Sequence, residues 1–323
     1  MTASLNKRAI IVGAGPAGLA AAEVLAQAGV AVIIHDRMPN PARKFLLAGR
    51  GGLNLTHSEP LADFLVRYGA AQTHLEPAIR AFAPEHLRAW CEALGIETFV
   101  GSSGRVFPKQ MKASPLLRAW LARLDGLGVQ LVTRSRWAGW DDGALTFDTP
   151  QGLRTEHADA FLFALGGASW PRLGSDGSWT EAFTAHGATI SALKPSNSGF
   201  RVPWSDIFRD RFAGQPLKPV HVSHGSSEVS GEAIVTQSGI EGGAIYALSP
   251  LLRDRIAAEG SADLVLDLSP NLTAAELAKK IAYAPSGTST ANRLRRAGLT
   301  PIAASLLRER RGGPGLPTAP AEL

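Results

Sequence analysis

The chain has 323 residues, 45% of them hydrophobic and 19% charged, and a formal net charge of +5 at pH 7. This is enough apolar material for about two domains and too little charge for a disordered chain. A single cysteine excludes an internal disulfide and a CxxC redox pair, and no apolar run is long enough to suggest a transmembrane helix.

A basic excess suits nucleic acid, a membrane surface or an anionic ligand. Its densest groups, at 209–211, 293–296 and 308–311, lack interleaved aromatics, so a small-molecule partner is expected rather than nucleic acid or membrane. The start, MTASLNKRAIIVGAG, has no signal-peptide pattern, and a lone thiol suits a reducing compartment, so a cytoplasmic location is expected. Cys91, in the helical pattern PEHLRAWCEALG, reads as a buried apolar thiol.

Residues 8–36 read as one unit. Ala9–Val12 is an uninterrupted apolar strand, as expected where both faces of a parallel sheet are covered. Gly13, Gly15 and Gly18 follow with G-x-G-x-x-G spacing, and residues 16–28 are a good helix ending at Gly29. A second apolar strand ends at Asp36. In this order Gly13 permits the tight turn, Gly15 lets the backbone approach a pyrophosphate, and Gly18 lets helix and strand pack closely. The turn Gly13, Ala14, Gly15, Pro16, Ala17 and Gly18 is therefore a candidate diphosphate site at a helix N-terminus. Asp36 stands where a carboxylate takes ribose hydroxyls and argues against a 2′-phosphate. Arg37 follows it as a further candidate contact. His35 reads as a partly exposed packing residue. The fingerprint alone leaves FAD and NAD open.

Pro39 and Pro41 mark a turn, and Arg43 and Lys44 bring cations near the expected phosphates. KFLLAGRGGLNLT, residues 44–56, reads as a loop in which Gly49, Gly51 and Gly52 let the main chain lie against a flat or anionic object. Residues 60–100 read as helical. A helix is expected from Ser114 to Leu124, capped by Ser114 with Pro115 at its first position, then a strand over VQLVTRSRW. Phe161–Leu165 reads as a central strand that turns at Gly166 and Gly167. Ser169 and Asp176 read equally well as site residues or as turn formers. From about residue 190, KPVHVSHG, EVSGEAIVTQSG, GGAIYALS and ADLVLDLSP read as short strands, and Thr273 with Glu276 as a capping box. His221 and His224 lack the companions of a metal site, and no acid–base pair stands out, so no catalytic residue is assigned.

GAGPAGLAAA, RKFLLAGRGGLNLTHSE, GRVFP and ALGGASWPRLGSDG together resemble the BaiN/RdsA-like flavoproteins, NAD(P)/FAD-dependent oxidoreductases. The resemblance runs from about residue 8 to about residue 310. It implies an α/β fold: a Rossmann-like FAD-binding domain (1–189) with a helical cap (60–100), an inserted β-rich, barrel-like domain (190–296), and a return segment to the first domain (297–323). It implies FAD as cofactor, NAD(P)H as reductant and an organic acceptor. It places Gly51, Gly52 and Asn54 against the FAD, Lys44 near ribose or phosphate and Gly166 beside the cofactor, and it offers Trp137 either as a main-chain contact to adenine or as a core aromatic. Family members continue into a Gly-Glu…Asp…Gly-Gly-Tyr segment with no counterpart here. A truncated, non-catalytic nucleotide-binding relative is therefore the alternative expectation.

Overall fold

The computed structural model describes residues 7–49, 52–285 and 287–309, in two compact units, Met1–Leu193 and Lys194–Leu323. In chain order the first unit comprises β1 (Arg8–Val12), α1 (Pro16–Gln27), β2 (Ala31–Asp36), α2 (Arg43–Ala48), β3 (Thr56–His57), α3 (Leu61–Val66), α4 (Gln72–Ala81), α5 (Pro84–Ala93), β4 (Thr98–Val100), β5 (Arg105–Pro108), α6 (Ala113–Gly126), β6 (Gln130–Thr133), β7 (Arg136–Asp141), β8 (Ala144–Thr149), β9 (Gly152–Glu156), β10 (Ala160–Phe163) and α7 (Trp179–Ala185).

A parallel sheet of order β10-β1-β2-β6 carries this unit. From Ala9 to Val12 its inner strand β1 is apolar and buried, because both faces are covered. Ile11 packs with Leu19, Ala22, Trp120 and Leu124 of α1 and α6. Ile10 and Val12 pack with Leu145 and Phe147 of the antiparallel sheet β7-β8-β9. Glu23 of α1, almost fully buried, accepts hydrogen bonds from Trp120 Nε1 (2.7 Å), Arg123 (3.0 Å) and Trp90 Nε1 (3.1 Å), so α1 is fastened to α5 and α6. Cys91 is buried, and burial pushes its thiol up to about 11, as suits a packing residue.

Several local expectations shift. Residues 43–48 form α2 where a loop was expected. α6 begins at Ala113, not with Ser114 as cap. No side chain caps it, and its first residue, Ala113, is buried beside Gly49. The strand expected over 129–137 is two strands. The chain breaks at Arg134, in the left-handed region at φ 55°, and β7 leaves the parallel sheet for the antiparallel one.

The second unit contains β11 (Phe200–Arg201), α8 (Asp206–Phe212), β12 (Pro216–His224), β13 (Ser227–Val235), β14 (Gly239–Glu241), α9 (Gly243–Glu259), β15 (Val265–Asp267), α10 (Ala274–Ala282), α11 (Thr290–Arg296) and α12 (Pro301–Leu306). Its antiparallel sheet, order β11-β14-β13-β12-β15, packs Val220, Val222, Ala233 and Val235 against Ile245, Leu248 and Leu252 of α9. GGAIYALS, expected as a strand, starts that helix. Ala244, Ile245, Leu248 and Leu252 recur at helical spacing and are all buried. The capping box at α10 forms as expected, with Glu276 N donating to Thr273 Oγ1 (3.2 Å) and Thr273 N to Glu276 (2.8 Å). Residues 297–309, expected to return to the first domain, pack within the second unit: Ile302 lies in its core, and Leu299 and Ala303 pack on Ile281 and Leu294. No helix among the described residues is long and apolar enough to cross a membrane.

Candidate dinucleotide site

The chain leaves β1 through a turn whose three glycines have separate structural causes. Gly13 donates its N–H to His35 O (2.8 Å) with φ 107°, and a Cβ there would lie 2.5 Å from Ala164 O. A Cβ on Gly18 would lie 1.9 Å from Gly13 O, so α1 is seated on the turn as closely as a backbone allows. Gly15 differs: it is extended, at φ −79° and ψ 179°, and a Cβ there would meet nothing within 4 Å. It is the N-cap of α1, with Pro16 as the first helical residue. No side chain caps this end and no acidic residue lies in the first turn. Pro16 and Ala17 are exposed, whereas Ala14 is buried. The helix end thus presents free N–H groups and a partial positive charge towards open space.

Asp36, at the end of β2, faces the same turn. Its Oδ2 accepts from Ala14 N and its Oδ1 from Met38 N, both at 2.7 Å. The second bond closes an Asx turn that fixes the carboxylate, and each oxygen keeps lone-pair capacity for a hydroxyl donor. Its neighbour His35 points the other way. It is buried rather than partly exposed, stacks on Phe147 (3.9 Å between centroids) and shares a 2.8 Å hydrogen bond with Ser135 Oγ through Nδ1. Burial lowers its pKa to about 4 and keeps it neutral, and Nε2 has no partner.

Ala42 N donates to Ala14 O (2.9 Å) and brings α2 beside the turn. Two candidate cations there are engaged with the segment after β10. Arg37 donates to Asp176 Oδ2 (2.9 Å) and Lys44 Nζ to Ser169 Oγ (2.7 Å). The Arg37 guanidinium, helped by Ser178, holds the Asp176 carboxyl down at about 2. Gly166 adjoins this segment, its carbonyl accepting from Trp179 Nε1 (3.0 Å).

The second glycine segment behaves differently from the sequence expectation. A Cβ on Gly49 would lie 2.5 Å from that of Ala113, and one on Gly52, 2.7 Å from Met111 Cε, so both glycines face the chain itself. Gly51 lies outside the described residues. Asn54 is exposed. Leu55 N donates to Val106 O (2.8 Å), which joins the GGLNLTHSE and GRVFP segments through β3 and β5. Trp137, expected as a main-chain contact to adenine or as a core aromatic, has its ring in an edge-to-face cluster with Trp140 and Phe163, and its Nε1 donates to Gly139 O (2.9 Å). The side chain is occupied in packing. Sequence reading missed the pairing of Glu59 with Arg67 (2.5 and 2.6 Å), 3.4 Å from His57 Nδ1, in which Arg67 holds the Glu59 carboxyl low. Glu and Arg eight residues apart give no helical spacing that could have signalled it.

The profile of the HI0933-like protein Rossmann domain matches residues 7–295. The chain belongs to that family. The HI0933-like family is that of the BaiN/RdsA-like flavoproteins, so the resemblance drawn from the four sequence segments holds. No curated protein sequence matches the chain. Among solved structures it is similar to a flavocytochrome c3 fumarate reductase in its open conformation (19% identity, 65% of this chain and 46% of that one, TM-score 0.46). It is also similar to the 3-ketosteroid-Δ4-(5α)-dehydrogenase of Rhodococcus jostii RHA1 (16%, 53% and 48%, TM-score 0.39) and to THI4 of Thermovibrio ammonificans (13%, 75% and 78%, TM-score 0.37). The chain spans about half the length of the first two.

Proposed function

We propose that the chain binds FAD and acts as a flavin-dependent oxidoreductase, passing hydride from NAD(P)H through the flavin to a small organic acceptor in the cytoplasm. One observation carries the reading. At the uncapped end of α1 the missing side chain of Gly15 faces open space, beside a carboxylate, Asp36, oriented by the turn itself. A diphosphate suits that place, since the helix end carries about half a positive charge and no first-turn carboxylate opposes it. Asp36 receives the ribose hydroxyls and disfavours a 2′-phosphate by like-charge repulsion. Lys44 adds a cation nearby. In the neighbouring segment the exposed Asn54 is free to meet the cofactor, and Trp137, its ring packed, offers its main chain to adenine. When bound, the flavin supplies reversible two-electron chemistry, and the chain's task is to bind, orient and tune it.

The test is calorimetric titration of the purified chain with FAD and with ADP, followed by anaerobic addition of NADH or NADPH to the FAD complex. The reading expects FAD to bind more than about tenfold tighter than ADP, a gain of about 1.4 kcal/mol from the flavin half, and the flavin to bleach with one of the two nicotinamides. Equal affinities would make the chain a binding module for the ADP moiety alone. No binding of either would end the nucleotide reading.

A further inference from the structure

We propose that Arg37 and Lys44 serve as anchors for a strap, residues 165–178, which lies across the C-terminal end of β1 and must lift off them for a dinucleotide to enter or leave. This deepens the nucleotide reading above and rests on it.

The topology sets the path of the strap. In the order β10-β1-β2, β1 lies between the strand that feeds the strap and the strand that carries its anchors. The strap leaves β10 beside the glycine turn, where Ala164 N donates to Val12 O (2.8 Å) and Ala164 O closes against Gly13. It then docks on residues that follow β2: Ser169 on Lys44 (2.7 Å) and Asp176 on Arg37 (2.9 Å). Between these links a Cβ on Gly174 would lie 2.9 Å from Met38 Cγ, so the strap's backbone rests on the residue whose N–H orients Asp36. A segment that starts on the β10 side of β1 and ends on the β2 side crosses the end of β1, where the turn begins.

The strap is stiff inside and weakly fastened outside. Trp170 and Ser175 exchange backbone hydrogen bonds (3.0 and 3.1 Å), and Ser175 Oγ donates to Gly167 O (2.8 Å). Gly166 and Gly177, at its two ends, take positive φ (70° and 73°). Both anchoring links lie at the protein surface, where water competes for them, and the charged pair Arg37–Asp176, its side chains partly accessible, weakens in salt. A rigid piece with glycine ends and two weak fasteners opens as a unit.

The experiment uses the full chain, with Asp176→Asn, Ser169→Ala and the double variant. Without ligand, amide hydrogen exchange over 165–178 rises about tenfold in the double variant, what two exposed links are worth together, while β1 and β2 stay protected. With FAD and ADP as probes in stopped flow, uptake and release both accelerate in each variant, and Kd moves less than either rate. Added salt speeds release from the unsubstituted chain more than from Asp176→Asn, which lacks the screened pair. Unchanged rates in a chain that binds either probe overturn the strap alone. Weaker binding without faster uptake also overturns it, because Asp176 or Arg37 would then touch the ligand. A chain with a protected strap that takes up neither probe overturns the nucleotide reading, and the gate with it.

Discussion

The two glycine-rich segments of the first unit use the same residue for opposite ends. At 49–52 the missing side chains of Gly49 and Gly52 make room for Ala113 and Met111, so the space is filled by the protein. At 13–18 two glycines are filled in the same sense, Gly13 by Ala164 O and Gly18 by the turn's own carbonyl, but the space at Gly15 is empty. A glycine therefore reports that something comes close. Only the direction of its absent Cβ tells whether that something belongs to the chain or comes from outside. Among the described glycines of these two segments, only Gly15 has no atom of the chain within 4 Å of its absent Cβ.

The largest effect is expected where the filled sense is strongest. Gly18→Ala drives a methyl to 1.9 Å from a backbone carbonyl, which no side-chain rotation relieves. It should cost about 4 kcal/mol, at the upper end of overpacking. Urea unfolding measures this. A cost below about 1 kcal/mol would mean that α1 is not seated on the turn as described.

The same division between filled and open sides passes through the end of β2, between His35 and Asp36. His35 is held neutral by burial, with its pKa lowered from 6.5 to about 4. The unfolded chain therefore takes up the proton first. The stability linked to His35 is fully present above pH 6.5 and is lost as pH falls towards 4, by about 3 kcal/mol. Unfolding of the unsubstituted chain and of His35→Leu across this window isolates the effect: the difference between them should shrink on acidification. A constant difference would mean that His35 is not shielded by the β7-β8-β9 sheet.

These contrasts show how far the sequence could be read. The unit from β1 to Asp36 was legible because its causes are local: the partner of Gly18 is Gly13, and Asp36 binds Ala14 and Met38. In the second glycine segment the closing of Gly49 on Ala113 was not legible, since it is a contact no spacing announces. The links Arg37–Asp176 and Lys44–Ser169 join segments more than a hundred residues apart, so Ser169 and Asp176 could be read only as turn formers or site residues. α2 and α9 failed for another reason, since short apolar runs beside glycines fit strand, loop and helix alike until burial decides. His35 illustrates the limit within a strand. Its neighbours fixed its place in β2, and only the sheet packed beneath it made it fully buried.

A smaller effect is expected at Gly49→Ala. Its backbone, at φ −83°, tolerates a side chain, but the added methyl meets the first turn of α6 at 2.5–2.8 Å. About 2 kcal/mol should be lost. Coupling to Ala113→Gly would show where the strain lies, because the double variant should recover part of the loss in unfolding measurements.

Gly15→Ala should be the smallest perturbation of the fold and the most damaging to binding. The backbone at φ −79° accepts alanine, and the new methyl touches nothing. Stability should change by about 0.5 kcal/mol or less, because alanine is a poor N-cap but restricts the unfolded chain. A methyl placed where a pyrophosphate must approach the helix end should nevertheless weaken ADP and FAD together by more than about tenfold, since the clash lies in the half they share. Calorimetry and urea unfolding on the same preparation separate the two effects. If the variant bound both as tightly as the unsubstituted chain, the open face at Gly15 would not be where the diphosphate rests. If it unfolded easily, that space would be filled by the chain after all, and the contrast between the two glycine segments would disappear.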